Sequence, residues 1–302
     1  MTGPIMPPEA GAELFEAQRP RLLRLAYRML GAFAEAEDVV QDAWLRWRGA
    51  ERAAVHNPAA FLTRTVTRLC LDVIKSARKQ RETYPGVWLP EPVIEPEDPV
   101  ARADELTLTL MLALERLSPL ERAAFLLHDI FEVPLDEVAS TLGREAPAVR
   151  QLASRARRHL RAARPRYDVP AEEGEQIAAA FMAAAAAGDV AGLRGLLAET
   201  VVLRSDGGGK VIAFLNPIEG VERVARLYSG LRRKYGAEAP DLLRPARIDG
   251  LPGFIIRAAD GILQTIAFEI DAGRIAAIYI TRNPDKLARV AAVLGAGGVT
   301  SG

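Results

Sequence analysis

The chain has 302 residues, 49% apolar and 26% charged, with 39 basic side chains against 39 acidic ones. That is material for two or three domains with proper cores, and it carries no compositional sign of disorder. No run of 18 or more apolar residues occurs, and the opening "MTGPIMPPEAG" has neither a basic start nor an apolar stretch, so no membrane span or signal peptide is expected and the expected location is cytoplasmic.

From Leu14 to Lys79 apolar residues recur at three- and four-residue steps: Leu22, Leu25, Ala26 and Met29, then Val39, Val40, Ala43, Trp44 and Trp47, then Phe61, Leu62, Val66, Leu69 and Val73. The spacing predicts three helices. Gly31 closes the first, Asn57 and Pro58 open the third, and the basic "KSARKQR" ends it where cations suit the helix dipole. Cys70 falls on the apolar spacing of this third helix, reads as a small buried hydrophobe, and leaves no internal disulfide. His56, His128 and His159 stand apart from any Cys or acid pattern with ligand spacing, so neither a metal nor a cofactor is expected.

Between Glu82 and Glu105, "ETYPGVWLPEPVIEPEDPVARADE" holds five prolines and a cluster of acids, which excludes a helix and predicts an extended linker. Roughly 24 residues at about 3.3 Å each reach ~80 Å when stretched. Trp88 in "VWLPEP" either docks on another surface or closes its own domain's core.

Helical text resumes at "LSPLERAAFLLHDIFEVPLDEVASTLGREAPAVRQLASRARRHL". Ser118, Pro119 and Glu121 form a capping box with proline at the first helical position. Val138, Leu142, Val149 and Leu152 fill the wedge between two short helices, small Ala139 lets them approach, and Gly143 makes the turn. A helix-turn-helix fits this pattern, and so does a plain helical hairpin. Arg144 to Arg166 holds eight arginines against the single acid Glu145, which contributes little to a core and fits either a polyanionic partner or a solvated helix face. Phosphate neutralisation supplies most of the affinity in such contacts, and side chains near the helix start read base edges.

The stretches "AYRMLGAFAEAEDVVQDAWLRWRG", "AFLTRTVTRLCLDVIKSARKQR" and "LSPLERAAFLLHDIFEVPLDEVASTLGREAPAVRQLASRARRHL" resemble regions 2 and 4 of the bacterial extracytoplasmic-function sigma factors, from Leu14 to about Arg166. The resemblance implies that region 2 binds the clamp of core RNA polymerase and opens the -10 element of promoter DNA, while region 4 sits on the -35 element. Two elements about two helical turns apart require a span of roughly 70 Å, within the linker's reach. Asp38, Gln41, Asp42 and Arg46 match the polymerase-contacting face; Arg64, Arg68, Asp72, Lys75, Arg78 and Arg81 match the surface that meets the -10 strand. Arg150, Gln151, Ser154, Arg155, Arg157 and Arg158 match the region 4 DNA contacts, with Leu152 standing where other members carry a polar reader.

From Glu172 onward an alanine-rich helix precedes two β-rich runs around the glycines of "TVVLRSDGGGKVIAFLNPIEG", then "GFIIRA" and "ILQTIAFEIDAGRIAAIYITR", the last with its own turn at "DAG". Helices first and a meandering sheet after predict an α+β cone, which resembles the SnoaL-like (NTF2-like) domain that a subgroup of these sigma factors carries. The expected organisation is therefore two all-α sigma domains at residues 10–82 and 106–168, a linker at 83–105, and the α+β domain at 172–295. Three short pieces match the subgroup: Trp88, Leu89 and Pro90 of "WLPEP"; Asp206, Gly207, Gly208, Gly209 and Lys210 of "DGGGK"; and Asn283, Pro284, Asp285, Lys286 and Leu287 of "NPDKL". The resemblance implies that the fused domain replaces a separate anti-sigma factor. The expectation is that the three pieces lie together, with Trp88 as anchor among the polar Asp206, Lys210, Asn283 and Asp285.

No enzyme is expected. After His159 there is no histidine or cysteine, and the available acids and phenol, Asp206, Glu269 and Tyr279, show no pairing in their spacing. "DGGGK" lacks the spacing of a phosphate loop. The expected partners are core RNA polymerase and promoter DNA, with no membrane; an unidentified small ligand inside the cone stays open. The alternative function is a stand-alone helix-turn-helix regulator whose third domain senses a small molecule.

Overall fold

The computed structural model describes residues 8–50, 55–81, 84–95, 108–161, 169–236 and 241–297. Contacts divide the chain into two compact units, residues 1–82 with 110–163, and residues 83–109 with 164–302. The two helical regions read separately in the sequence thus share one unit, and the proline-rich connection belongs to the other.

In the helical unit, α1 (Pro8–Leu30), α2 (Phe33–Gly49) and α3 (Pro58–Arg81) pack three apolar stripes together. Leu22, Leu25, Met29, Val39, Val40, Ala43, Leu62, Val66 and Cys70 are all buried. Trp47 is fully enclosed, and its indole N–H donates to the Gly11 carbonyl at 2.8 Å. Burial pushes the Cys70 thiol pKa up, as befits a packing residue. Local chemistry sets the ends: the Gly31 amide closes α1 on the Tyr27 carbonyl, and Asn57 Oδ1 accepts from the Ala60 amide at 3.0 Å at the start of α3.

The second half of the unit comprises α4 (Leu108–Glu115), α5 (Pro119–Phe125), a π-type segment (Leu126–Ile130), α6 (Leu135–Leu142) and α7 (Ala146–Arg161). Ser118 and Glu121 form the reciprocal capping box, with the Glu121 amide donating to Ser118 Oγ at 3.3 Å and the Ser118 amide to Glu121 Oε2 at 3.1 Å. Gly143, at φ 62, turns α6 into α7, while Val138, Leu142, Val149 and Leu152 bury the wedge between them.

In the other unit, a seven-stranded sheet runs in the order β1-β4-β5-β6-β7-β2-β3. Its strands are β1 (Ile94–Glu95), β2 (Leu197–Asp206), β3 (Ile218–Glu219), β4 (Asp241–Ile248), β5 (Leu251–Arg257), β6 (Leu263–Asp271) and β7 (Arg274–Thr281). All neighbours are antiparallel except β2 and β7. Helices α8 (Ala171–Ala187), α9 (Val190–Leu196) and α10 (Val221–Tyr235) cover one face, burying Phe181, Leu193 and Val224 against Phe254, Phe268 and Ile278. Helix α11 (Ala288–Gly297) follows β7. Because side chains alternate along a strand, Asp206, Ala267 and Tyr279 point to the opposite face.

Three features differ from expectation. The run after "DGGGK" is not the second strand of a hairpin: Val211–Pro217 is a loop, and only Ile218 and Glu219 pair with β2. Positive φ at both Gly208 and Gly209 turns the chain off the sheet, leaving Ile212 and Leu215 exposed instead of alternating inward. The proline-rich segment is extended, yet Leu89, Val93 and Ile94 are buried and β1 extends the sheet beyond β4. Finally, β4, α10 and α11 went unread.

Candidate functional site

Helix α7 sorts its residues cleanly. Val149, Leu152, Ala153, Ala156 and Leu160 are buried, while Arg150, Gln151, Ser154, Arg155 and Arg158 are exposed and line a shallow groove of about 360 Å³. Leu152 is therefore part of the wedge, which explains an apolar residue within an otherwise polar row. Arg157 is half-exposed and donates Nε to Asp129 Oδ1 at 2.7 Å; Arg155 Nε lies 3.3 Å from Glu121 Oε1. Both guanidiniums are thus oriented by acids of their own unit while remaining on the solvent side, an arrangement suited to phosphate.

On α2, Asp38, Gln41 and Asp42 form one exposed stripe with Arg46 beside them. Leu45, three residues after Asp42 and 48% exposed, continues that stripe and was missed by a reading based on polar residues. On α3, Arg68, Asp72 and Lys75 are exposed and Arg64 is half-buried. Lys75 Nζ donates to Asp72 Oδ1 at 3.4 Å, so the acid among the cations has a neighbouring basic partner. The side chains of Arg78 and Arg81 lie outside the described residues.

The α+β unit brings "WLPEP", "DGGGK" and "NPDKL" onto one carboxylate at the end of β2. Asp206 is fully buried and accepts four hydrogen bonds: from Tyr84 Oη at 2.5 Å and the Gly208 amide at 3.0 Å on Oδ1, and from the Leu89 amide and Lys286 Nζ, both at 2.8 Å, on Oδ2. Lys286 Nζ also donates to the Leu89 carbonyl at 2.5 Å and sits 4.2 Å from the Trp88 ring centroid and 5.1 Å from that of Tyr84. Asn283 Nδ2 donates to Tyr84 Oη at 3.1 Å. Burial and the adjacent Asp206 carboxylate push the Tyr84 phenol up, so it remains a donor.

The buried anchor differs from the expected one. Leu89 is 1% exposed, whereas Trp88 is half-buried and walls the lysine. Pro90 and Leu287 are buried, Pro284 is exposed, and Lys210 pairs with Asp285 at 2.6 Å on the surface. Glycine is required at two places: a side chain at Gly208 meets the Asn283 amide, and one at Gly209 meets Pro85. Two participants were missed. Tyr84 stands four residues before the motif tryptophan, and Asp249, in the β4–β5 turn, accepts from the Val93 amide at 3.3 Å while its own amide donates to the Val93 carbonyl at 2.9 Å.

Residues 14–80 match the family model for Sigma-70 region 2, and residues 107–160 that for Sigma-70 region 4. The ECF RNA polymerase sigma factor SigJ of Mycobacterium tuberculosis is 38% identical over 287 residues, covering 90% of this chain and 91% of the relative. The probable ECF RNA polymerase sigma factor SigI of the same species is 33% identical over 292 residues, covering 94% and 97%. The crystal structure of M. tuberculosis SigJ superposes with a TM-score of 0.74 at 36% identity, covering 92% of this chain and 98% of that one. Among the described residues no helix is long and apolar enough to cross a membrane.

Proposed function

The chain belongs to the extracytoplasmic-function RNA polymerase sigma factors, and from that premise we propose that its fused α+β domain restrains the factor by gripping the segment that joins regions 2 and 4. Members of the family bind core RNA polymerase and direct it to promoters. In this chain we assign polymerase contact to Asp38, Gln41, Asp42 and Arg46 with the exposed Leu45, the -10 strand to the α3 face, and the -35 element to the α7 groove. An acidic stripe with one exposed leucine suits a basic helical partner, whereas guanidiniums held on one helix face suit phosphate and base edges.

One observation carries the regulatory reading: two of the four hydrogen bonds that the fully buried Asp206 accepts come from the connecting segment. Tyr84 and the Leu89 amide come from that segment, and Lys286 clasps the Leu89 carbonyl from the other side. A domain that merely followed the sigma regions would not require a buried ion pair on the segment between them. Promoter contact at both elements needs a connection free to run from one element to the other, and holding residues 84–95 on the sheet fixes the course of that part of it.

The test is run-off transcription with purified core polymerase and a -10/-35 promoter, comparing the full chain with Asp206→Asn. Transcript should rise several-fold in the variant with the same promoter-sequence dependence. Unchanged transcript, in a variant whose connecting segment has lost protection from hydrogen exchange, would remove the regulatory assignment. Direct promoter binding without any response to polymerase would instead favour a ligand-sensing regulator.

A further inference from the structure

Helix α10 of the α+β unit is apolar on one side and basic on the other. Val221, Val224 and Ala225 are buried against the sheet, and Leu227 and Tyr228 pack on the same core. At about 3.6 residues per turn, Arg223, Arg226, Arg233 and Lys234 fall on the opposite arc, all exposed, with Gly230 at its centre. Along the whole helix five cations stand against one acid, Glu222. That acid is satisfied within the domain, because Arg194 of α9 donates Nε to its Oε1 and Nη2 to its Oε2, both at 2.8 Å. Arg226 donates Nε to the Glu222 carbonyl at 3.1 Å, which fixes one edge of its guanidinium on the helix.

Gly230 has no explanation inside the fold. Glycine within a helix is destabilising relative to alanine, yet a Cβ at this position would meet no atom within 4 Å. A bare backbone among four cations lets a partner's surface approach more closely than a side chain would permit.

The chemistry of the arc selects the partner. Every exposed side chain of α10 is charged, whereas protein interfaces centre on aromatic and apolar groups with few charges. A membrane-binding amphipathic helix needs its apolar side free, and that of α10 lies on the sheet. Arginine forks presented on a helix face match the oxygens of phosphate.

We propose that the outer face of α10 binds the phosphate backbone of promoter duplex, which gives the fused domain a DNA contact of its own beside its grip on the connecting segment. The choice of promoter DNA as the polyanion rests on the sigma assignment. From Arg223 to Lys234 the face runs eleven residues, about 16 Å of helix axis, and follows roughly five nucleotides of one strand at about 3.4 Å each. Phosphate contacts carry no sequence information, so the face adds affinity without changing promoter choice.

The experiment measures the affinity of core polymerase carrying the full chain for a labelled promoter duplex, as a function of salt, in the wild type and in Arg226→Gln/Arg233→Gln. Each phosphate contact contributes about 0.9 to the slope of log affinity against log salt, so the variant's slope should be shallower by about two, with core binding and sequence preference unchanged. Arg226→Lys/Arg233→Lys should restore the slope. Gly230→Glu separates the contact from the fold: glutamate suits a helix better than glycine, so the melting temperature should hold or rise while duplex binding weakens several-fold. An unchanged slope in the glutamine variant with core binding intact would overturn the face. Weaker core binding at an unchanged slope would assign the face to the polymerase and overturn the DNA contact. A wild type that binds no core polymerase would overturn the sigma assignment; the free chain with the same duplex then decides the face, and equal slopes in wild type and glutamine variant would overturn it as well.

Discussion

Lys286→Met should free the connecting segment from the sheet while leaving the sheet intact. The lysine side chain is 10% exposed and its partner Asp206 is 0% exposed, so this is a buried ion pair. Removing one member of such a pair costs about 3–5 kcal/mol, because the other charge is left without its counterion. Asp206 would retain the Tyr84 hydroxyl and the amides of Leu89 and Gly208, three neutral donors, which places the cost near the lower end, ~3 kcal/mol. At about 1.4 kcal/mol per factor of ten, hydrogen-exchange protection over residues 84–95 should fall by about 100-fold. Lys210→Ala provides the contrast. Lys210 and Asp285 are 55% and 63% exposed, and solvent-screened pairs contribute less than about 1 kcal/mol. Its effect on the same peptide should stay within about fivefold. If protection in Lys286→Met lay within threefold of the wild type, the buried pair would not be what holds the segment, and the reasoning would fail.

Gly208→Ala should release the "NPDKL" turn, because φ of 62 already disfavours alanine and its methyl group would collide with the Asn283 amide; loss of protection around Asn283 at an unchanged β6–β7 hairpin would be the signature, and full protection would contradict it. Arg155→Ala should make promoter binding by the holoenzyme less salt-sensitive, lowering the slope of log affinity against log salt by about one, whereas an unchanged slope would remove Arg155 from the phosphate contacts. Acid should weaken both units. Burial raises the Glu121 carboxyl, but the Ser118 hydrogen bonds and Arg155 outweigh it; burial likewise opposes Asp260, and Arg282 with the Ile262 amide prevails. Both carboxyls therefore sit below their ordinary range, so their contribution is present above about pH 4 and lost as pH falls through the folded values. Urea titrations between pH 5 and pH 2.5 should show a declining midpoint that is flatter in Asp260→Asn, and parallel curves would contradict the assignment.

The helical half was legible because its signals are local. Gly31, Asn57, Ser118 and Gly143 each end or start a helix through contacts within four residues, and the apolar stripes are the faces the structure buries. Strand β4 was hidden by Pro245, which usually marks a break. It is tolerated because, among the described residues, β1 pairs with Arg247 and Ile248 alone and none lies beside Pro245 on that side. The adjoining Asp249 and Gly250, both at positive φ, are a readable hairpin signal that was overlooked. In the site, Asp206 and Lys286 stood out as motif residues, but Tyr84 did not: its bond to Asp206 spans 122 residues, and no local rule selects one tyrosine for a distant carboxylate. The expected strand after "DGGGK" failed for a related reason. β propensity in "VIAF" was real, but the glycines turn the chain toward Pro85 and Asn283, contacts invisible in one dimension.

The most direct test of the account is binding of the full chain to core RNA polymerase by size-exclusion chromatography, with Asp42→Lys run alongside. Co-elution of the wild type, with loss of co-elution in a folded Asp42→Lys variant, is the predicted result. A wild-type chain that elutes apart from core polymerase at micromolar concentrations, yet binds promoter duplex unaided, would contradict it.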